Sequence, residues 1–396
     1  MRDMKQGWES HKFADVFDLQ MGKTPSRDDS SYWNGDNVWV SIADLNDKKY
    51  ISESKEGITD KAVKESGIKI VPKNTVIMSF KLSIGKTAIT TTPLFTNEAI
   101  MAFIEKEKDI LIPEYIYYYL KGYKWAGANK AVLGMTLNKK SISEQIFSYP
   151  PLPEQEKIVS ELDCLSGIIE KKHRQLKELD ALAQSIFYEM FGDPVTNEKG
   201  WELIDFEHVC SSMTKGPFGS DIKKSLYVEK TDDAYKVYIQ ANAIEKDLSI
   251  GTYYISKDYF DEKMYRFEVH PYDYIITCDG TLGKFIRLPE TIEKGIISAS
   301  LLRLSIKEEL LLPRYFEFIW NEYMLPQLVK DVRNTALKHL PSASKIGKVC
   351  IPLPNIKAQS EFASKIEAIE KQKELIKQSL GEVETLFNSR MDFYFN

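Results

Sequence analysis

Apolar residues at Ile158, Leu162, Leu165, Ile169, Leu176, Leu179, Ala183, Ile186 and Met190 follow one another in alternating steps of four and three, with one polar interruption at Lys172. That spacing predicts one face of a long helix and the seam of a coiled coil, which needs a partner. The prolines at 150, 151 and 153 disfavour helix before them and mark its start. Glu154 and Glu156 suit its positive N-terminal end, and Gly192 with Pro194 stops it. A run of about 37 residues makes a rod roughly 55 Å long at 1.5 Å per residue.

The partner is predicted in the same chain. A shift of 204 positions carries the seam onto Phe362, Ile366, Ile369, Lys373, Ile376, Leu380, Val383, Phe387, Arg390 and Tyr394. It also matches residues off the seam, Gln155 with Gln359 and Leu182 with Leu386 among them. The charged breaks do not coincide: Lys172 aligns with Ile376, Lys373 with Ile169 and Arg390 with Ile186. Such breaks either fix register at a cost in stability or mark a long stem that is solvated near its middle.

The repeat extends beyond the helices. Trp8-Glu9 and Trp201-Glu202 each open a segment that runs to a Pro-Leu-Pro, at 151–153 and 352–354, just before a long helix. Asn37 to Leu45, Asn74 to Phe80 and Ala99 to Glu105 are rich in β-branched and aromatic residues and predict strands, followed by a helix from Pro113 to Tyr123. The second half predicts the same order at Tyr235 to Ile244, Tyr272 to Gly280, Ser298 to Ile306 and Pro313 to Tyr323. Even Gly85-Lys86 recurs, as Gly283-Lys284. The predicted fold class is α/β: two mixed α/β globules, 1–150 and 194–351, joined by two long antiparallel helices, 151–193 and 352–396, in a pseudo-two-fold repeat.

Composition narrows the function. With 396 residues the chain is long enough for two or three domains. No signal peptide and no apolar run long enough to span a membrane is present, which predicts a cytoplasmic protein. Cys164, Cys210, Cys278 and Cys350 show no CxxC spacing and the five histidines no HxxxH or HExxH pair, so neither disulfide framework nor metal site is expected. Net charge is −5, and no segment has a strong basic excess: residues 1–150 carry +2, 151–191 −3, 192–350 −3 and 351–396 −1. A chain of this charge does not hold DNA alone through phosphate contacts.

PPLPEQEKIV with the long helix after it, then FGDPVTNEKGW, resembles the central region of specificity subunits of type I restriction-modification systems. GKTPSRDDSSYWNGDNVWVSIADL and MSFKLSIGKTAI in the first globule, with KGPFGSDI, YIQANAI and CDGTLGKFIRLPE in the second, are similar to their target recognition domains. The second half departs where NIKAQ (355–359) replaces the tighter Glu154-Gln155, and in ending at Phe395-Asn396 without a Gly-Asp-Pro, as expected of a natural C-terminus.

The resemblance implies a non-catalytic subunit that chooses the DNA site. Each globule reads one half of a bipartite, asymmetric sequence in double-stranded DNA, and the helices set the gap and dock the modification (methyltransferase) subunits, expected to be two. Restriction subunits are further partners. No cofactor is expected on this chain; S-adenosylmethionine, ATP and Mg are expected on the partner subunits. By position and chemistry the candidate readers are Lys23, Thr24, Ser26, Arg27, Lys81, Ser83 and Lys86 in the first globule. Lys215, Ser220, Gln240, Asn242, Thr281 and Lys284 are their counterparts in the second. Thr136, Asn138 and Lys139 before the first helix, and Lys338 with His339 before the second, form a further pair of loops. For each residue singly, the plain alternative is a turn or solvated surface position.

Other readings stay open on sequence alone: a self-sufficient DNA-modifying enzyme, the specificity subunit of another restriction class, or a coiled-coil scaffold. Against the first, Gly85-Lys86-Thr87 and Gly22-Lys23-Thr24 end like a phosphate-binding loop, but Phe80 and Phe17 stand where that motif needs glycine. Asp279-Gly280-Thr281-Leu282-Gly283 lacks the full GxGxxG and predicts a tight turn. No Asn/Asp-Pro-Pro-aromatic stretch of the amino-methyltransferase kind is present.

Overall fold

Two helices of 40 residues each, Leu152–Phe191 and Ile356–Phe395, dominate the computed structural model, which describes residues 7–46, 48–125, 135–330 and 339–396. The first helix begins one residue before Pro153, whose fixed φ and missing N–H are tolerated in a first turn. The chain forms two compact units, Met1–Arg174 with Ile376–Asn396, and Gln175–Leu375. Each unit therefore holds one globular part and one end of each helix. Among the described residues no helix is long and apolar enough to cross a membrane.

In the first unit, strands Phe17–Met21, Ile100–Glu105, Val76–Ser79, Thr87–Thr90 and Tyr50–Ile51 form one sheet in that order, antiparallel except for the last pair. Val76 and Met78 point into the aromatic core around Phe13, Tyr115 and Phe147, while Ile77, one residue out of phase, joins Val40, Val71 and Ala102 on the other face. Both faces are covered, which is why this strand reads as a continuous apolar run rather than an alternating one. A small sheet of Glu56–Ile58, Trp33–Val40 and Phe95–Thr96 lies alongside in the order of pairing.

The second unit repeats this plan with strands Cys210–Lys215, Leu301–Ile306, Tyr274–Thr277 and Phe285–Arg287, plus a small sheet of Tyr254–Ile255, Tyr235–Tyr238 and Gly295–Ile297. Tyr274 and Ile276 face one core and Ile275 the other. Helix Pro113–Gly122 has its counterpart in Pro313–Ile319, each with proline in its first turn, where the missing N–H costs nothing. The second helix continues as a π-turn, Trp320–Met324.

The expected strand at Tyr235 to Ile244 ends at Tyr238, and Gln240–Ile244 is a short helix. The cause is local: the Ile239 N–H donates to Asn242 Oδ1 at 2.8 Å, which folds the chain back. The first unit does the same. Its strand stops at Val40, short of the expected Leu45, because the Ser41 N–H and hydroxyl both donate to Asp44 Oδ2, at 2.8 and 2.7 Å.

Each globular part is closed by pairing its first strand with its last, Glu9–Lys12 with Ile146–Tyr149 and Glu202–Asp205 with Cys350–Leu353. Immediately afterwards a buried glutamine ties the helix to the domain. Gln155, 0% exposed, accepts from the Ile112 N–H at 3.1 Å and donates to the carbonyls of Ile110 and Pro150 at 2.9 and 2.8 Å. Gln359, also 0% exposed, accepts from Leu312 N–H at 2.8 Å and donates to Leu310 and Pro354 at 2.9 and 2.8 Å. Tyr115 and Tyr315 add matching bonds, to the carbonyls of Ser148 and Pro352 at 2.9 and 2.7 Å.

Every predicted seam position is buried or half-buried in both helices. In the first unit Ile158, Leu162, Met391 and Phe395 enter the same core, and in the second Ala183, Phe187, Phe191, Phe362 and Ile366 do. Phe187 and Phe191 thus pack on the globular part, against Tyr315 among others. Two of the charged breaks are ion pairs across the helices rather than solvated gaps. Lys373, its side chain 16% exposed, bonds Asp180 at 2.7 Å and Glu370 at 2.8 Å, and Arg390 grips Glu161 together with Tyr394.

Replacing Gln155 or Gln359 with leucine keeps the volume but strands one N–H and two carbonyls in each case. The expected loss is about 2–4 kcal/mol of stability, similar at both sites, read from urea unfolding of the single variants. A loss below about 1 kcal/mol at either site would show that the amide does not hold helix to domain.

Candidate nucleic-acid interface

Three loops come together in each unit, on the same backbone bonds. The first follows the opening strand of the large sheet. Gly22 N–H donates to Ile100 O at 3.2 Å and Gly216 N–H to Leu301 O at 2.8 Å. A Cβ on either glycine would sit 2.1 Å from Thr96 O or 2.0 Å from Ser298 O, so no other residue allows this approach.

The second loop joins two neighbouring antiparallel strands of the large sheet, 80–86 in one unit and 278–284 in the other. Ser79 Oγ donates to Ser83 O and accepts from Lys86 N–H at 3.1 Å. Thr277 Oγ1 likewise donates to Thr281 O and accepts from Lys284 N–H at 3.0 Å. Gly85 and Gly283 take φ of 89° and 73°, which glycine adopts freely, so the recurring Gly-Lys is the signature of this turn.

The third loop precedes the long helix and pairs onto the second: Leu137 N–H donates to Phe80 O at 3.0 Å and Leu340 N–H to Cys278 O at 2.8 Å. Residues 99–100 and 300–301 complete the junction, since Phe80 N–H bonds Ala99 O and Cys278 N–H bonds Ser300 O, at 2.9 and 2.8 Å.

In the first unit this junction brings Lys23, Thr24, Ser26, Arg27, Lys81, Ser83, Lys86, Asn138 and Lys139 onto neighbouring loops. Lys23, Ser26, Arg27, Ser83, Lys86 and Lys139 are exposed and Lys81 is half-buried. Lys23 Nζ donates to Ser66 O and Thr24 Oγ1 to Glu98. Thr136 lies on the two-residue strand that pairs with Lys81–Leu82. Asn138 caps helix Lys139–Ser143, its Oδ1 accepting from Ser141 N–H at 2.8 Å, so it shapes the loop.

Arg27 is the most organised of these side chains. Its guanidinium lies 3.7 Å over the Trp33 ring and forms a fork with Glu56, at 2.5 and 2.9 Å. The Glu56 bond raises the arginine pKa and, in return, lowers that of the carboxyl. Trp33 and Glu56 escaped sequence reasoning; the closely spaced Trp33 and Trp39, whose rings meet edge to face, were the available signal.

In the second unit Lys215, Ser220, Thr281, Lys284 and His339 lie on the corresponding loops. Lys215 Nζ reaches Leu340 O at 3.3 Å and so ties the first loop to the third. His339 Nδ1 bonds Asp279 Oδ1, joining the second and third. Burial works to raise the Asp279 pKa, but the bonds from His339 and Ser300 outweigh it and leave the group lowered. Lys223 and Lys224, which sequence reasoning passed over, are exposed just beyond Ser220. Gln240 is half-buried on its short helix. Lys338 lies outside the described residues.

Asn242, whose amide is of the kind that suits adenine, departs from the expectation of a base reader. It is 0% exposed, and besides accepting from Ile239 N–H its Nδ2 donates to Asp247 O and Ile250 O, both at 2.8 Å. All its capacity is used inside the domain, in the turn that Asp44 makes in the first unit.

A family model described as type I restriction modification DNA specificity domain matches this chain twice, over residues 5–181 and 198–385. The chain is 30% identical over 249 residues to the type I restriction enzyme MjaIX specificity subunit of Methanocaldococcus jannaschii, a match covering 61% of this chain and 54% of that protein, about half its length. A chain solved in work on complex assembly and conformational transition of the type I R-M system superposes with a TM-score of 0.64 at 15% identity, covering 100% of this chain and 99% of that one. The S subunit of a type I restriction-modification system from M. genitalium gives 0.51 at 13%, covering 99% and 96%. At such identity the two structures speak for the fold: two mixed α/β domains in repeat with two long antiparallel helices. With one match of the domain model over each of the two loop sets, the chain belongs to the family of type I restriction modification DNA specificity domains and carries the domain twice.

Proposed function

We propose that this chain is the DNA specificity subunit of a type I restriction-modification complex. Each domain reads one half of a bipartite, asymmetric site in double-stranded DNA, and the long helices set the gap and dock two modification subunits. The observation that carries this reading is the pair of three-loop junctions, alike in backbone bonds and unlike in side chains. Two readers on one scaffold with different loops suit two different half-sites, because backbone bonds position a loop while side chains meet the base edges.

The chain itself carries no catalysis in this reading. S-adenosylmethionine, ATP and Mg²⁺ belong to the modification and restriction subunits, and its place of work is the cytoplasm, where the DNA is. A net charge of −5 supports the same division, since the partners complete the positive surround of the duplex that this chain lacks.

The test is selection from a randomised duplex pool by the chain co-expressed with its modification subunits. A split motif with two fixed halves and a fixed gap is expected; a single contiguous motif, or none, would overturn the reading. Binding of S-adenosylmethionine to the isolated chain would point instead to a self-sufficient enzyme.

Arg27→Ala is expected to relax the first half only, by about 1–3 kcal/mol at the affected base pair. Lys86→Ala should weaken all sequences alike and reduce the slope of log K against log salt by about 1. Relaxation of the second half by either change would contradict the assignment of domains to halves.

Inserting seven residues in both helices keeps the seam in phase. It should lengthen the gap by about three base pairs, from 1.5 Å per residue against 3.4 Å per base pair, and leave the bases of both halves as they were. Altered half-site bases would refute the spacer role.

A further inference from the structure

Phe218 is 77% exposed, the most exposed large hydrophobic side chain among the described residues. Isolated exposed apolar residues are ordinary on protein surfaces, so its meaning depends on how it is held. Both of its flanks are fixed. On one side Pro217 is buried and Gly216 bonds Leu301 O at 2.8 Å with no room for a Cβ. On the other, Asp221 N–H donates to the Phe218 carbonyl at 2.9 Å, Tyr259 Oη donates to Asp221 O at 2.8 Å, and Ile222 enters the core. The ring is thus carried outward by a turn bonded on both sides, two residues beyond the glycine that brings the first loop into the junction. The equivalent position in the first unit, counted from Gly22, is Thr24, a half-buried polar residue whose hydroxyl donates to Glu98.

A phenyl ring offers no hydrogen bond, and the exposed Lys223 and Lys224 that follow it in the chain suit a polyanion. The one apolar group that a stacked base pair presents in a groove is the 5-methyl of thymine. We propose that Phe218 is a specificity-determining residue of the second domain, packing on the 5-methyl of a thymine in the major groove of the second half-site. The inference rests on the reading of this domain as a DNA reader and adds which group and which base chemistry it uses.

The experiment uses the complex with its modification subunits and the duplex selected from the pool, each thymine of the second half replaced in turn by deoxyuridine. For the unaltered protein, one replacement is expected to weaken binding about fourfold, the worth of one buried methyl. Phe218→Ala should weaken the thymine duplex by a similar factor and bind thymine and deoxyuridine duplexes equally, with the first half-site still selected. A second half without thymine, or a deoxyuridine penalty equal in both proteins, would overturn the inference. So would deoxyuridine as good as thymine for the unaltered protein, the result expected if the ring instead entered between base steps. Failure of the unaltered complex to select any second half would overturn the underlying reading, and this inference with it.

Discussion

An amide side chain removed from water must find a partner for both hydrogens and for its oxygen, and three such partners are met together only in a narrow geometry. Gln155 and Gln359 find them in the segment before the aromatic helix of each domain and in the residue that leaves its last strand. Moving either long helix by a residue would break all three bonds at once. The direction in which each helix leaves its domain, and with it the face that its seam presents, follows from this contact. The strand pairs that close each globular part bring the chain to that point, and the tyrosine bonds to Ser148 and Pro352 hold it there.

Because this arrangement rests on main-chain groups and a few buried side chains, the two copies have kept it while their loops diverged. The turn built on Ser79 and the one built on Thr277 need only a hydroxyl and a glycine with positive φ, and both copies keep these. What stands on the turns is free to differ. The first copy presents a guanidinium stacked on an indole; the second presents a histidine paired to Asp279 and an exposed phenyl ring. A constant support with variable tips is what a protein needs if its two halves are to recognise different things.

The stem adds an electrostatic constraint. Lys373 and Arg390 sit where the seam calls for apolar residues, and each is matched by carboxylates within its own unit. Ion pairs as exposed as these contribute little net stability, but a shifted register would set Lys373 and Arg390 against apolar residues of the other helix without their carboxylates. The pairs thus favour one alignment of two otherwise similar apolar stripes more than they add to stability.

Much of this was legible in the chain. Periodicity is a local property, so the helices, their seam, the duplicated order of elements and the Gly-Lys turn could be read from spacing, and the prolines marked where the long helices start. What the chain alone left open were the partners of polar side chains, because those lie far away along it. Asn242 reads as an adenine ligand in isolation and proves to be a buried cap; Arg27 reads as one loop cation among several and proves to be organised by Glu56 and Trp33. Lys373 and Arg390 read as defects until Asp180 and Glu161 are placed beside them. Hydrophobic pattern reports which face of an element is buried, whereas a hydrogen bond or ion pair depends on an approach of a few ångströms between distant residues, and only the tertiary structure decides that.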